Sequence, residues 1–286
     1  MGGLALPIAP LSEATTWWSS TSCSTTVVRD KTRCIIHQDI NGDSVNAYDP
    51  EAKTWRSLPM NNIEAHGYFR PCHGVFGDTV IIIGHGDLRK CVRKKLTTFE
   101  TYVAEAFAPS SGWTALPYFP DYADNATACT LNGRLYVAGG YCCDALRVWD
   151  GNEWTTKTHL PDERHGAASI VHNGKVMVIG GEVRRDPFEQ PWDSDIESDD
   201  MPEPEFDTTE SVLIYDPNTD QWSQGPDMPQ GLYAHTVIHH EGVILVFDGA
   251  SRTVLRFTEG GWEAISDFPV FGAMHSSFEV GTVLLG

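Results

Sequence analysis

Positive charge is scarce in this chain. Twenty Lys and Arg stand against 39 Asp and Glu, a formal net charge of -19. Binding a nucleic-acid backbone needs clustered cations, so the balance argues against nucleic acid as the main partner and favours a basic one. The seven Cys include no C-x-x-C pair, and only Cys142 and Cys143 adjoin. Neither a disulfide framework nor a zinc ligand pattern is expected from them. No apolar run approaches the ~18 residues of a membrane span. The start, Met1 to Pro7, has neither the basic region nor the sustained apolar stretch of a secretory signal, and Leu6 stands where myristoylation wants Ser or Thr. From these absences we expect a cytoplasmic protein, with the nucleus as the other option, and no membrane association. Catalytic signatures are missing too: there is no G-x-S-x-G elbow, no H-E-x-x-H and no phosphate-binding glycine loop.

What the chain does have is core material and a repeat. Hydrophobic residues make up 41% and aromatics 10%, with nine Trp, so its 286 residues can build one large closed all-β domain. Short apolar runs ending in Gly-Gly recur as LYVAGG (Leu135 to Gly140) and VMVIGG (Val176 to Gly181), with variants IIIGHG, LVFDG and VLLG and a worn copy at Cys34 to Asp39. A second marker, an apolar run closing in Asp-Pro or similar, precedes Trp55, Trp113, Trp154, Trp222 and Trp262, and in weaker form Trp17 and Trp18. Each marker therefore occurs six times.

The markers keep register. Trp113 to Gly139, Trp154 to Gly180 and Trp222 to Asp248 are each 26 residues apart. The return interval is 10 or 11 residues in three units, but 24 from Gly84 to Ala108 and 36 from Gly180 to Asp216, so insertions fall in one kind of loop. Each unit of about 40 residues reads as four short strands with no amphipathic helix, the composition of a β-propeller blade. Weak alternation in Leu135-Tyr136-Val137 is expected where both faces of a strand pack on neighbouring blades, and the Trp residues suit inter-blade filling.

The stretch LPDERHGAASIVHNGKVMVIGG, from Leu160 to Gly181, resembles the kelch repeat, as does Tyr215-Asp216-Pro217 with Trp222. The resemblance runs from Leu4 to Gly286 and implies a single all-β domain, a six-bladed kelch-type β-propeller. Its blades would span roughly 23–57, 70–115, 125–156, 166–223, 234–264 and 273–286 plus 4–19. The last blade would be closed by N-terminal strands, Leu4 to Pro10 and Trp17 completing Ala273 to Phe278 and Thr282 to Leu285. Kelch-like propellers serve mainly as protein-interaction modules, so we expect a monomeric, cofactor-free substrate-recognition or scaffold subunit that binds a polypeptide. Some relatives are enzymes, and a small-ligand sugar mutarotase is the alternative.

In an up-and-down blade the loop entering the first strand and the loop after Gly-Gly share one face. Both insertions, taken as 87–105 and 182–210, belong to that face. The first carries Arg89, Lys90, Arg93, Lys94 and Lys95. The second holds nine carboxylates between Asp193 and Glu210, including Asp199 and Asp200, with no Lys or Arg. We expect both to be solvated segments that bias partner choice by charge rather than support the fold. The resemblance further implies that one residue per blade points into a central pocket: Ser24, Arg70, Asn125, Gly166, Ala234 and Gly272. Arg70, suited to clamping a carboxylate or phosphate, and Asn125 are the stronger candidates there. His85, Tyr141, Arg184 and Arg252 complete the candidate face. His73, His165, His235 and His275 sit near first-strand starts at unequal offsets, which suits capping or packing better than a metal ring.

Overall fold

A computed structural model of the chain describes residues 16–18, 22–29, 32–39, 45–49, 54–58, 71–85, 102–108, 111–185, 205–240, 242–248 and 253–267. Every described element is a strand. They form five successive antiparallel meanders: β2 to β5 (Ser22–Arg29, Thr32–Asp39, Val45–Asp49, Thr54–Leu58), then β6 to β9 (Cys72–Phe76, Thr79–His85, Tyr102–Ala108, Gly112–Ala115) and β10 to β13 (Thr127–Leu131, Arg134–Ala138, Leu146–Trp149, Trp154–Thr156). The fourth comprises β15, β16, β19 and β20 (Ala168–His172, Lys175–Ile179, Val212–Asp216, Gln221–Gln224), and the fifth β21 to β24 (Thr236–His240, Val243–Asp248, Thr253–Thr258, Gly261–Asp267).

Turn chemistry explains the hairpins. Asn132-Gly133 and Asn173-Gly174, all at positive φ, join first and second strands through two-residue turns whose twist matches the flanking strands. The second strands alternate between two neighbours. Ile81 and Ile83 of β7 pack with Leu135 and Val137 of β11, while Val80 and Ile82 turn to Leu58 of the first sheet. Likewise Val176 and Val178 of β16 join Tyr136 and Val148, whereas Met177 and Ile179 join Ile244 and Val246. Burial on both faces accounts for the near-continuous apolar runs, and the core is a series of inter-sheet layers.

The Trp marker has a repeated geometry. Tyr48↔Trp55, Phe107↔Trp113, Trp149↔Trp154, Tyr215↔Trp222 and Phe257↔Trp262 are all directly opposed cross-strand partners. The indole N–H of Trp154, Trp222 and Trp262 donates to the carbonyls of Pro117, Thr158 and Pro226 at 3.2, 2.8 and 2.8 Å, each in the segment leaving the preceding sheet. One ring thus fills its own sheet and staples it to the one before.

Three boundaries differ from expectation. β1 (Thr16–Trp18) pairs with β2, setting Trp17 opposite Ser24, so among the described residues Trp17 extends the first sheet to five strands, where a place in the last sheet was expected. The three-residue connection to Ser22 makes this hairpin cheap in closure entropy. The first insertion ends at 101, because Tyr102 to Glu105 belong to β8 and pair with Ile82 to His85. The second is structured at its base: β14 (Arg164–His165), β17 (Glu182–Arg184) and β18 (Phe206–Thr208) form a separate three-stranded sheet. The expected strands at Leu4 to Pro10, Ala273 to Phe278 and Thr282 to Leu285 lie outside the described residues.

Candidate partner-binding face

The face is organised by backbone where sheets meet. Asn125, Gly166 and Ala234 precede the first strands of three consecutive sheets and share left-handed φ values of 56°, 62° and 54°. Gly166 N–H donates to Asn125 O, and Ala234 N–H to Gly166 O, both at 2.8 Å. Three of the six positions singled out by the resemblance thus form a backbone chain from sheet to sheet. Asn125 is itself buried.

Entry loops and post-Gly-Gly loops do meet. Tyr141 N–H donates to Asp124 O at 2.8 Å, Gly140 N–H to Arg164 O at 2.9 Å and Gly181 N–H to Leu232 O at 2.8 Å. Gly139 leaves no room for a side chain: a Cβ there would lie 2.3 Å from Arg164 O. Arg164 is 1% exposed and spends its donors on Asp162 (2.7 Å twice), Ser211 Oγ (2.8 Å), Ser211 O (3.3 Å) and Gly180 O (3.2 Å). It locks the fourth sheet's entry loop to both sides of the second insertion. Such a guanidinium is structural, its donors used within the protein.

The small sheet segregates its side chains by face. Register sets His165 opposite Glu182, Glu182 opposite Thr208 and Arg184 opposite Phe206, so these residues share one side, while Arg164, Val183 and Asp207 share the other. At the outer end Arg185 binds Asp207 (2.9 and 2.6 Å) and Glu205, closing the insertion's stem. On the shared side the His165 ring meets Tyr141, Phe206 and Tyr233 nearly edge to face, with centroids 5.4, 4.6 and 5.6 Å away. Tyr141 also touches Phe206 at 5.3 Å. Tyr233 reaches across only because Gly166 has no side chain, since a Cβ there would come within 2.1 Å of its ring.

Charges on this side are unevenly matched. Arg184, with 15% of its side chain exposed, pairs with Glu163 at 3.3 Å. His165 Nε2 lies 3.3 Å from Glu182 Oε2, and desolvation holds the imidazole down to about 4, so it is neutral at pH 7. Burial pushes the Glu182 carboxyl above its usual range. Below the face, Tyr102 donates to the buried Asp124, and burial raises its phenol far above the ordinary value. Cys72 and Cys129 are free, their thiols pushed up by burial, that of Cys129 to about 12, and so kept from thiolate chemistry.

Of the expected face residues, the structure brings Tyr141 and Arg184 to this cluster and buries Asn125 beside it. His85 ends β7 opposite Tyr102, and only its strand position is described. Arg70, Arg89, Lys90, Asp199, Asp200 and Arg252 lie outside the described residues. Sequence reasoning missed Glu182, Phe206 and Tyr233 and took His165 for a packing residue. One signal was present: Phe206 is the lone aromatic in the acidic run from Asp193 to Glu210. Of the four histidines, His73, His165 and His235 do not converge, with His73 Nδ1 contacting Pro71 O at 3.1 Å and His235 buried near the Ile179 backbone and Asp248, and His275 lies outside the described residues. Among the described residues no His, Cys, Asp and Glu group is arranged to hold a metal, and no helix is long and apolar enough to cross a membrane.

Comparison with known proteins bears on the fold. Residues 207–229, which run from β18 through β19 and β20, match the model of the Kelch motif. Among solved structures, the structure of YjhT superposes with a TM-score of 0.58 at 12% identity, over 88% of this chain and 83% of that one. At that identity the likeness concerns the fold alone. No curated protein matches significantly.

Proposed function

We propose that this chain, a member of the kelch-repeat family with a propeller-type arrangement of sheets, is a non-enzymatic interaction module that grips a polypeptide through the face built by its entry and post-Gly-Gly loops. One observation carries the reading: three partly exposed aromatic rings, Tyr141 from a post-Gly-Gly loop, Phe206 from β18 and Tyr233 from an entry loop, converge over His165 beside a ladder that the second insertion supplies. Aromatic rings framed by paired charges are the usual anchors of protein interfaces, with large contact area and little rotamer entropy to lose. The acidic balance of the chain favours a basic partner. Six blades, a monomeric state and a cytoplasmic or nuclear location belong to the same proposal, as do contributions from the insertions at Arg89 and Lys90 and at Asp199 and Asp200.

The test is affinity capture from cell extract with wild type and a Tyr141→Ala/Phe206→Ala variant of unchanged melting temperature. Polypeptides retained by wild type and lost by the variant are then titrated in purified form. Equal retention by both proteins refutes the assignment to this face. A second reading, a sugar-acting enzyme, is favoured by the meeting of His165, Glu182, Arg184 and Glu163, an acid–base pair beside a charged pair. A polarimetric mutarotation assay separates the two, because turnover abolished by Glu182→Gln belongs only to the second.

A further inference from the structure

The His165 cluster has an uneven hydrogen-bond inventory. Arg184 is matched by Glu163, and Arg185 by Glu205 and Asp207, whereas Glu182 meets only the imidazole of His165 among the described residues. The Glu182 side chain is 28% exposed, so its carboxylate is accessible and partly desolvated at once. With Glu182 ionised, its contact with Nε2 at 3.3 Å places the neutral ring's proton on that nitrogen, which leaves His165 Nδ1 an acceptor, and Nδ1 has no hydrogen-bond partner in a side chain only 5% exposed. Glu182 and Nδ1 thus offer two acceptor groups and no donor, beside the rings of Tyr141, Phe206 and Tyr233.

A ligand group that suits this inventory carries several donors, no acceptor and a positive charge. Guanidinium and ammonium groups meet all three conditions, and both are drawn to ring faces. A carboxylate, a phosphate or a carbonyl would set acceptor against acceptor. We propose that Glu182 and His165, with the rings of Tyr141, Phe206 and Tyr233, form a site for an organic cation, the side chain of an Arg or Lys on the bound polypeptide. Glu182 makes the direct contact, and the buried Nδ1 adds an acceptor beside it. The proposal rests on the polypeptide-binding reading for the origin of the cation, but not for the chemistry of the site.

The experiment titrates the full chain with butylguanidinium, butylammonium and the neutral isostere butylurea, following the ring signals of Tyr141, His165, Phe206 and Tyr233 by NMR with selectively labelled amino acids. Saturable shifts are expected for the two cations with Kd on the order of 10 mM, the stronger cation identifying the preferred side chain, and none for butylurea. Glu182→Gln, which keeps shape and removes charge, should weaken binding about tenfold, and Phe206→Leu about threefold. Both variants are checked by melting temperature; if Glu182→Gln alters the fold, Phe206→Leu and the loss of binding in high salt carry the comparison. Absence of saturable shifts, equal response to butylurea, or unchanged affinity in folded Glu182→Gln overturns the proposal. Bound cation with no polypeptide dependent on Tyr141 and Phe206 refutes the polypeptide reading and leaves the cation site standing. A captured polypeptide with no cation response refutes the site alone.

Discussion

Removing the Arg164 side chain should unpin the junction between the third and fourth sheets. The guanidinium makes five contacts of 2.7 to 3.3 Å, to Asp162, Gly180 and Ser211. The two to Asp162 count for little, because that carboxylate is 36% exposed and regains water on truncation. Those to the Gly180 and Ser211 carbonyls are enclosed, and leaving such acceptors unmet costs about 1–3 kcal/mol each, reduced here because Ser211 O keeps the Gly180 N–H at 3.1 Å. With the lost packing of the stem, Arg164→Ala should destabilise by about 3–4 kcal/mol, on the order of 10 °C in melting temperature for a chain of this size. Arg164→Lys should recover less than half, since an ammonium cannot reproduce the planar fork. Thermal and urea unfolding followed by near-ultraviolet circular dichroism reads this directly. A fall in Arg164→Ala of less than about 3 °C would show that the clamp is dispensable.

Trp222→Phe and Trp262→Phe each lose one indole donor of 2.8 Å and should cost about 1 kcal/mol in urea unfolding; a silent pair would refute the stapling role. Joining Arg185 to Glu205 through a two-residue Asn-Gly turn removes 186–204 while keeping the β17–β18 ladder, and should alter unfolding by less than about 1 kcal/mol. A cut that extends through Asp207 also removes Phe206 and should destabilise visibly more. His235 is enclosed, and burial holds it down to about 4 from the ordinary 6.5 against the opposing pull of Asp248 and of a hydrogen bond to the Ile179 backbone. The unfolded state therefore binds the extra proton between those values, and the stability this group contributes is full above about pH 6.5 and is lost as pH falls toward 4. Urea midpoints at about pH 7, 6 and 5 should fall in wild type with a slope that His235→Gln reduces, by at most about 1.4 kcal/mol per pH unit; parallel curves would refute it.

The elements most legible in the sequence were those with one local cause. Asn132-Gly133 and Asn173-Gly174 announce their turns, and the opposed aromatics Tyr215 and Trp222 follow from the constant interval around Asp216-Pro217. Runs such as Val176 to Ile179 read as doubly buried, and they are. The strands at the two ends of the second insertion were missed because nine carboxylates outweigh two short strands in a compositional reading, although Glu182-Val183-Arg184 alternates like a strand. The aromatic cluster was hidden for a different reason. Tyr141, His165, Phe206 and Tyr233 are spread over 92 residues, and long-range contacts bring them together: backbone bonds such as Gly140 to Arg164 and Gly181 to Leu232, and the β14–β17–β18 ladder. Trp17 was misplaced because a marker cannot say which neighbouring sheet a strand will join.

The central claim is that a polypeptide binds the face formed by entry and post-Gly-Gly loops. Hydrogen–deuterium exchange of the full chain, with and without the polypeptide captured through Tyr141 and Phe206, tests it most directly. Protection is predicted in peptides covering Gly139 to Ala145, Glu163 to Gly166, Glu182 to Arg184, Phe206 to Thr208 and Gly231 to His235. Protection confined to the opposite hairpins, around Asn132-Gly133 and Asn173-Gly174, would contradict the account.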